Sequence, residues 1–202
     1  MIKMALIVIS GPMFSYKTTE LEKLAGTEKI ADRKVMAFKP RIDDRYSNEP
    51  AIISHDGKKM EATLVDLTEE IWAAVNKNNP EVIVIDEVQF LDDKIVEFCY
   101  HFRKIKDIYL AVLNMDYRGE PFRFKDSQRN VGELMAMGQN ISLKAVCTFK
   151  FKDGRKCGSK DAVYTQRLIN GEPAPYNSPL ILVGSKEAYE ARCSRHHIIE
   201  KP

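Results

Sequence analysis

Gly11-Pro-Met-Phe-Ser-Tyr-Lys-Thr-Thr19 follows the apolar run Ala5-Leu-Ile-Val-Ile9 and precedes a helical pattern. Strand, loop, helix is the order of a phosphate-binding loop, and the stretch nearly spells G-x-x-x-x-G-K-[ST]. Gly11 opens it and Lys17-Thr18 closes it, but Tyr16 stands where the second glycine belongs. A loop that feeds a helix N-terminus aims several backbone N–H groups at one point, and the helix dipole adds partial positive charge there. In such a loop Lys17 reaches the outer phosphates and the Thr18 hydroxyl holds Mg²⁺. Alone, the stretch could equally be an ordinary strand-to-helix turn carrying a chance Lys-Thr.

The chain around it suits one compact domain, or one with a small appendage: 202 residues, 44% of them hydrophobic. Its 31 basic and 29 acidic side chains leave a net charge of +2, which gives no global pull towards nucleic acid or membrane. The apolar runs are strand-length, too short to span a bilayer. The N-terminus runs straight into the first strand without a signal-peptide layout, so a cytoplasmic protein is expected. In that compartment its four cysteines are thiols or metal ligands rather than disulfides.

Leu21, Leu24 and Ala25 lie at helical spacing after the loop, predicting a helix over residues 17–31. Residues 34–38 read as a strand stopped by Lys39-Pro40, and 41–50 as a polar loop. A short strand over 51–54 ends in the turn signature His55-Asp56-Gly57, and a helix over 67–77 presents Leu67, Ile71 and Val75 on one face. Val82-Ile-Val-Ile85 is β-branched throughout, as in a parallel-sheet strand buried on both faces. A helix over 95–104 and a second buried strand over 108–113 follow. Strands alternating with helices predict a parallel α/β sheet, whose ligands bind beyond the carboxyl ends of the strands. Gly11, Asp86, Glu87 and Asn114 all fall at such ends and should converge. After Lys144 the alternation stops, and cysteines, glycines, prolines and short β-like pieces (162–165, 180–183) take over. A boundary there divides a nucleotide-binding domain, 1–144, from a second domain, 145–202.

Asp86 ends an apolar strand, where phosphate-loop enzymes keep the acid that orients Mg²⁺. Glu87 follows it. Neighbours on a strand point opposite ways, so one carboxylate can serve the metal while the other accepts a proton from an attacking hydroxyl. Two acids capping a strand at the surface is the plainer alternative.

Seven segments together resemble the type II thymidine kinase family, the cellular and bacterial kind with a zinc-bearing lasso domain. They are Gly11-Pro-Met-Phe-Ser-x-Lys-Thr-Thr-Glu20, Asp43-Asp-Arg-Tyr-Ser47, Ser54-His-Asp56, Asp86-Glu-Val-Gln-Phe90, Asp116-Tyr-Arg-Gly-Glu-Pro-Phe122, Ala162-Val-Tyr-Thr-Gln-Arg167 and Glu187-Ala-Tyr-Glu-Ala-Arg-Cys193, in that order. The resemblance implies a parallel-sheet P-loop NTPase (RecA-like) α/β core with a small C-terminal zinc-ribbon and lasso domain. It implies transfer of the ATP γ-phosphoryl group to the 5′-hydroxyl of thymidine. ATP and its phosphates would lie against Gly11, Pro12, Met13, Phe14, Ser15, Tyr16, Lys17 and Thr18, with Asp86, Glu87, Val88 and Gln89. Magnesium would be served by Thr18, Asp43 and Asp86, and Glu87 would be the catalytic base. Arg45 would sit by the phosphates or the attacking oxygen. Met13, Phe90, Leu113, Tyr117 and Phe122 match the thymidine pocket, with Thr165 close by. From the lasso, Tyr189 would pack on the base and the backbone of Leu182, Val183 and Gly184 would recognise it. A homotetramer inhibited by thymidine triphosphate is also implied. Core packing is the plainer alternative for the aromatics, and for Phe90 or Phe122 alone it is the better one; their placement just after strand ends is what raises them.

Cys193-Ser-Arg-His196 has the C-x-x-H spacing of half a tetrahedral zinc site. In the family the other half is C-x-x-C. Here Lys150 occupies the partner position of Cys147, and the next cysteine is Cys157, so the knuckle carries a basic insertion over 149–156. Structural zinc through Cys147, Cys157, Cys193 and His196 is expected, with His197 as a substitute ligand and reduced thiols as the alternative. Cys99, in an amphipathic helix, reads as a buried thiol.

Three departures from the family pattern stand out: Tyr16 for glycine, Val112 and Asn114 for the Gly and Asp common in bacterial members, and the enlarged knuckle. None removes Lys17, Asp86 or Glu87. Two rivals to an active kinase follow from them. A catalytically impaired nucleotide-binding relative is motivated by Tyr16. A P-loop ATPase with a nucleic-acid-binding zinc ribbon is motivated by the basic insertion, and it demands salt-sensitive binding.

Overall fold

The computed structural model describes residues 5–41, 51–53, 59–180 and 188–200. Its centre is a six-stranded sheet built from β1 (Leu6–Ser10), β2 (Val35–Pro40), β5 (Thr63–Val65), β6 (Val82–Ile85), β7 (Asp107–Val112) and β8 (Gln139–Ser142). The order is β5-β2-β6-β7-β1-β8, and every neighbouring pair is parallel. Helices α1 (Lys17–Ile30), α2 (Thr68–Asn78), α3 (Lys94–Phe102) and α4 (Gly132–Met137) lie between the strands in sequence. A small hairpin pairs β3 (Ala51–Ile53) with β4 (Lys59–Glu61).

The β-branched run folds as its composition demands. Ile83 and Ile85 pack into one cluster with Ile71 and Val75 of α2 and Ile95, Phe98 and Cys99 of α3. Val82 and Val84 face the other way, onto Leu21 and Ala25 of α1 and onto Ile52 and Met60 of the hairpin. A period of two thus feeds two cores, one on each sheet face. Burial raises the Cys99 thiol far above its ordinary range, as suits an inert core thiol.

The expected helices and central strands are present, with two corrections. β2 does not stop at Lys39-Pro40 but runs through Pro40. Pro40 is its last residue, opposite Val65 of the edge strand β5, where the missing N–H costs little. The β-like piece expected over 162–165 instead begins at Tyr164. Leu180, expected to open another, lies in a bend, and the rest of that piece is outside the described residues.

Beyond Lys144, β9 (Tyr164–Ile169) forms an antiparallel sheet with β10 (Glu172–Pro173) and β11 (Ala188–Arg192). At the edge of the main sheet, Gly138 passes close under β1. A Cβ there would lie 2.5 Å from the Leu6 carbonyl oxygen, so only glycine lets the chain enter β8. At the amino ends of the strands, Arg33 bridges Glu28 and Asp107 at 2.6 Å each, and the Tyr109 hydroxyl donates to Glu28 at 2.6 Å. No described helix is long and apolar enough to cross a membrane.

Candidate active site

Gly11 leaves β1 where a side chain has no room: a Cβ would meet the Leu143 carbonyl oxygen at 2.6 Å and Ser15 Oγ at 2.7 Å. The loop then curls on itself. Ser15 Oγ and Lys17 Nζ both donate to the Pro12 carbonyl, each at 2.8 Å. Lys17 is buried at the head of α1. Tyr16 precedes it in the left-handed region, φ 63° and ψ 28°, and its carbonyl accepts the first helical hydrogen bond, from Glu20. Phe14 is left-handed too, at φ 65°. Tyr16 thus takes up a left-handed backbone that a glycine adopts freely. The strain sits on Tyr16, which is 57% exposed.

Opposite the loop, across β7, Asp86 follows the end of β6. Thr18 Oγ1 donates to Asp86 Oδ2 at 3.1 Å, joining residues 68 apart in sequence. Asp86 is buried, and its Oδ1 accepts the Glu87 N–H at 3.0 Å. Glu87 is again left-handed, φ 50° and ψ 43°, and caps a 3₁₀ turn, Val88–Phe90. The two carboxylates thus diverge for a different reason from the one the sequence suggested. They lie past the strand, and a left-handed turn, not the pleat, separates them. Val88 is fully buried in the core. Gln89 is buried as well. Its Nε2 donates to Glu87 Oε2, and its Oε1 accepts the Leu113 N–H at 3.0 Å, just beyond β7.

Leu113 and Phe122 are buried in the same core cluster as Ile83 and Ile85, Met13 and Phe90 pack against it partly buried, and the Phe90 and Phe122 rings meet edge-on at 5.8 Å. Leu180 joins it, a contact that the sequence offered no reason to expect. Tyr117 is buried, but its hydroxyl turns to the carbonyls of Pro175, Tyr176 and Ser178, at 2.8–3.2 Å. Burial raises its phenol above the ordinary value, which keeps it a donor. Asp116 holds this turn by accepting from the N–H groups of Arg118 and Glu120. Thr165 Oγ1 accepts the Met13 N–H at 3.0 Å, so β9 touches the phosphate loop directly. Tyr189 is on β11, opposite Arg167. Asn114 is half-buried, and its Oδ1 has no hydrogen-bond partner among the described residues. Asp43, Arg45, Leu182, Val183 and Gly184 lie outside the described residues.

The enlarged knuckle closes. Cys147, Cys157, Cys193 and His196 bring one ligand atom each within 4.8 Å of one another. His196 Nδ1 lies 3.4 Å from Cys193 Sγ and 3.7 Å from Cys147 Sγ. The Cys193 thiol is held below its ordinary value. Burial opposes this, but N–H groups of Arg195 and His196 and the neighbouring cysteines outweigh it. Three sulfurs and one imidazole nitrogen, with backbone N–H groups aimed at sulfur, fit a closed tetrahedral zinc site. Phe149, from the insertion, stacks on His196 at 4.2 Å. His197 is not in the cluster: its Nε2 lies 2.9 Å from the Tyr117 carbonyl, and its ring stacks on Tyr164.

A buried lysine at a helix head, a threonine–aspartate bond from that helix to the end of β6 and a second carboxylate beside them are the parts of a phosphate-loop core. The thymidine kinase family model matches residues 4–197, and the chain belongs to that family. It is 44% identical over 199 residues to the thymidine kinase of Thermococcus kodakarensis, across 95% of this chain and 93% of that one. Among solved structures, AMPPCP-bound DnaA from Aquifex aeolicus aligns with a TM-score of 0.40 and 18% identity, over 69% of this chain and 40% of that one, too distant to bear on function.

Proposed function

We propose that the chain transfers the γ-phosphoryl group of ATP to the 5′-hydroxyl of thymidine. The observation that carries this beyond family membership is the Thr18–Asp86 hydrogen bond, with Lys17 buried beside it and Glu87 next in the chain. Hydroxyl and carboxylate oxygens are the ligands Mg²⁺ takes, and Thr18 and Asp86 would hold it, where it supplies charge neutralisation for the phosphates. Lys17 would turn from the Pro12 carbonyl to the phosphate oxygens. Glu87 would accept the 5′-hydroxyl proton. The cluster of Met13, Phe90, Leu113 and Phe122 would form the thymine slot. Asp43, Arg45 and Tyr189 belong to the same proposal through the family motifs they occupy, and the backbone of Leu182, Val183 and Gly184 through the family resemblance.

Zinc held by Cys147, Cys157, Cys193 and His196 would be structural, because four protein ligands leave no open position. Division near Lys144 rests on the change of pattern there; a homotetramer, feedback by thymidine triphosphate and a cytoplasmic location complete the proposal on the strength of the family resemblance. The test is thymidine phosphorylation with ATP and Mg²⁺, wild type beside Glu87→Gln. Wild-type turnover that drops by about 10²–10⁴-fold in the variant supports the assignment. No thymidine monophosphate above an enzyme-free blank overturns it.

A further inference from the structure

Gln89 stands in a motif attributed to phosphate binding, yet it is 1% exposed, and hydrogen bonds tie both ends of its carboxamide to the protein. Its orientation is chemically determined. The Leu113 N–H is a donor, so only the carbonyl end of Gln89 can face it. The –NH₂ end must then face Glu87 Oε2, which is where it lies. We infer that Gln89 is a positioning residue for the reaction: it clamps the Glu87 carboxylate to the end of β7 and holds the proton-accepting oxygen in place. This rests on Glu87 being the base.

Two further features give the clamp its purpose. Glu87 occupies a left-handed backbone conformation, which a non-glycine residue keeps only when its surroundings impose it. Leu113, the other anchor, packs in the same apolar cluster as Phe90, Phe122 and Met13. One carboxamide therefore links the base to the wall of the proposed nucleoside slot, so that base and 5′-hydroxyl share a frame. Burial of Gln89 leaves little room for water to take over either bond.

The test uses the full chain and five proteins: wild type, Gln89→Met, Gln89→Glu, Glu87→Gln, and Gln89→Met in the Glu87→Gln background. Gln89→Met keeps the volume and loses both bonds. Gln89→Glu keeps the shape and the acceptor for Leu113 but turns a donor to Glu87 into a second carboxylate. Each is expected to lower kcat by about 10–100-fold, as loss of an outer-shell partner does. KM for thymidine and for ATP should stay within about threefold, because only the reacting geometry is disturbed. In the Glu87→Gln background Gln89→Met should cost nothing more. Wild-type kcat in Gln89→Glu, or an equal loss from Gln89→Met in both backgrounds, overturns the clamp while leaving Glu87 as base. Full activity in Glu87→Gln overturns the base, and the clamp with it. Thermal unfolding of each variant separates a folding defect from either result.

Discussion

Replacing Tyr16 by glycine should make the protein more stable and leave its rate nearly unchanged. The phosphate loop holds Tyr16 at φ 63° and ψ 28°. For a residue with a side chain, that conformation costs about 1–2 kcal/mol. Glycine removes the cost but adds freedom to the unfolded chain, worth about 0.4–1 kcal/mol in the other direction. Tyr16 is 57% exposed, so its removal uncovers little buried surface. The balance is a gain of roughly 1 kcal/mol, or about 2–4 °C in Tm for a chain of this length. Differential scanning calorimetry on both proteins measures it. The backbone already sits in a region that glycine adopts freely, so kcat and KM for ATP should stay within about threefold, equivalent to ~0.6 kcal/mol. A Tm that falls refutes the strain argument. A gain of tenfold or more in kcat refutes the claim that the tyrosine leaves the site open, and identifies an impaired relative instead.

Three other perturbations test separate parts of the molecule. Glu28 is held below its ordinary carboxyl value: burial pushes it up, but hydrogen bonds from Tyr109 and Arg33 outweigh that. A depressed carboxyl stabilises the fold above its unfolded value and loses that contribution as the pH falls. The Tm gap between wild type and Glu28→Gln should therefore be full at pH 7 and shrink below about pH 4.5, as differential scanning fluorimetry across pH would register. Elemental analysis should find one zinc per chain, and Cys157→Ser should lose it and unfold at a lower temperature; a metal-free wild type of equal stability contradicts the closed site. Gly138→Ala must push a methyl against the Leu6 carbonyl oxygen, so urea unfolding should show a loss of about 1–3 kcal/mol.

What could be read from the chain depended on whether the signal was local. The buried strands β6 and β7 announce themselves because both faces are apolar. β8, Gln139–Ser142, does not: it is a partly exposed edge strand beside β1, and its polar sequence has no period to detect. β5 was missed for a similar reason, being three residues long at the opposite edge. At the site, Lys17, Thr18 and Asp86 were legible from motif spacing. The Met13–Thr165 bond was not, since it joins residues 152 apart, and no composition rule foretells one such bond. Nor was the left-handed turn at Glu87, because glutamate carries no sign of the backbone region it will occupy. The knuckle was legible through its ligand types, the C-x-x-H spacing and the family resemblance. Its stacking of Phe149 on His196 depends on how the insertion folds back.

That bond from the Met13 N–H to Thr165 has one more implication. Thr165 lies on β9 opposite Ala191, two residues before Cys193. The strand that meets the phosphate loop is therefore the immediate neighbour of the strand that runs into the cysteine knuckle. Occupancy of the two is then subject to linkage: whatever factor ATP applies to the hold on zinc, zinc must apply to the hold on ATP. Under the proposed assignment, and where that factor differs from one, chelator resistance would gauge nucleotide binding without any phosphoryl transfer taking place.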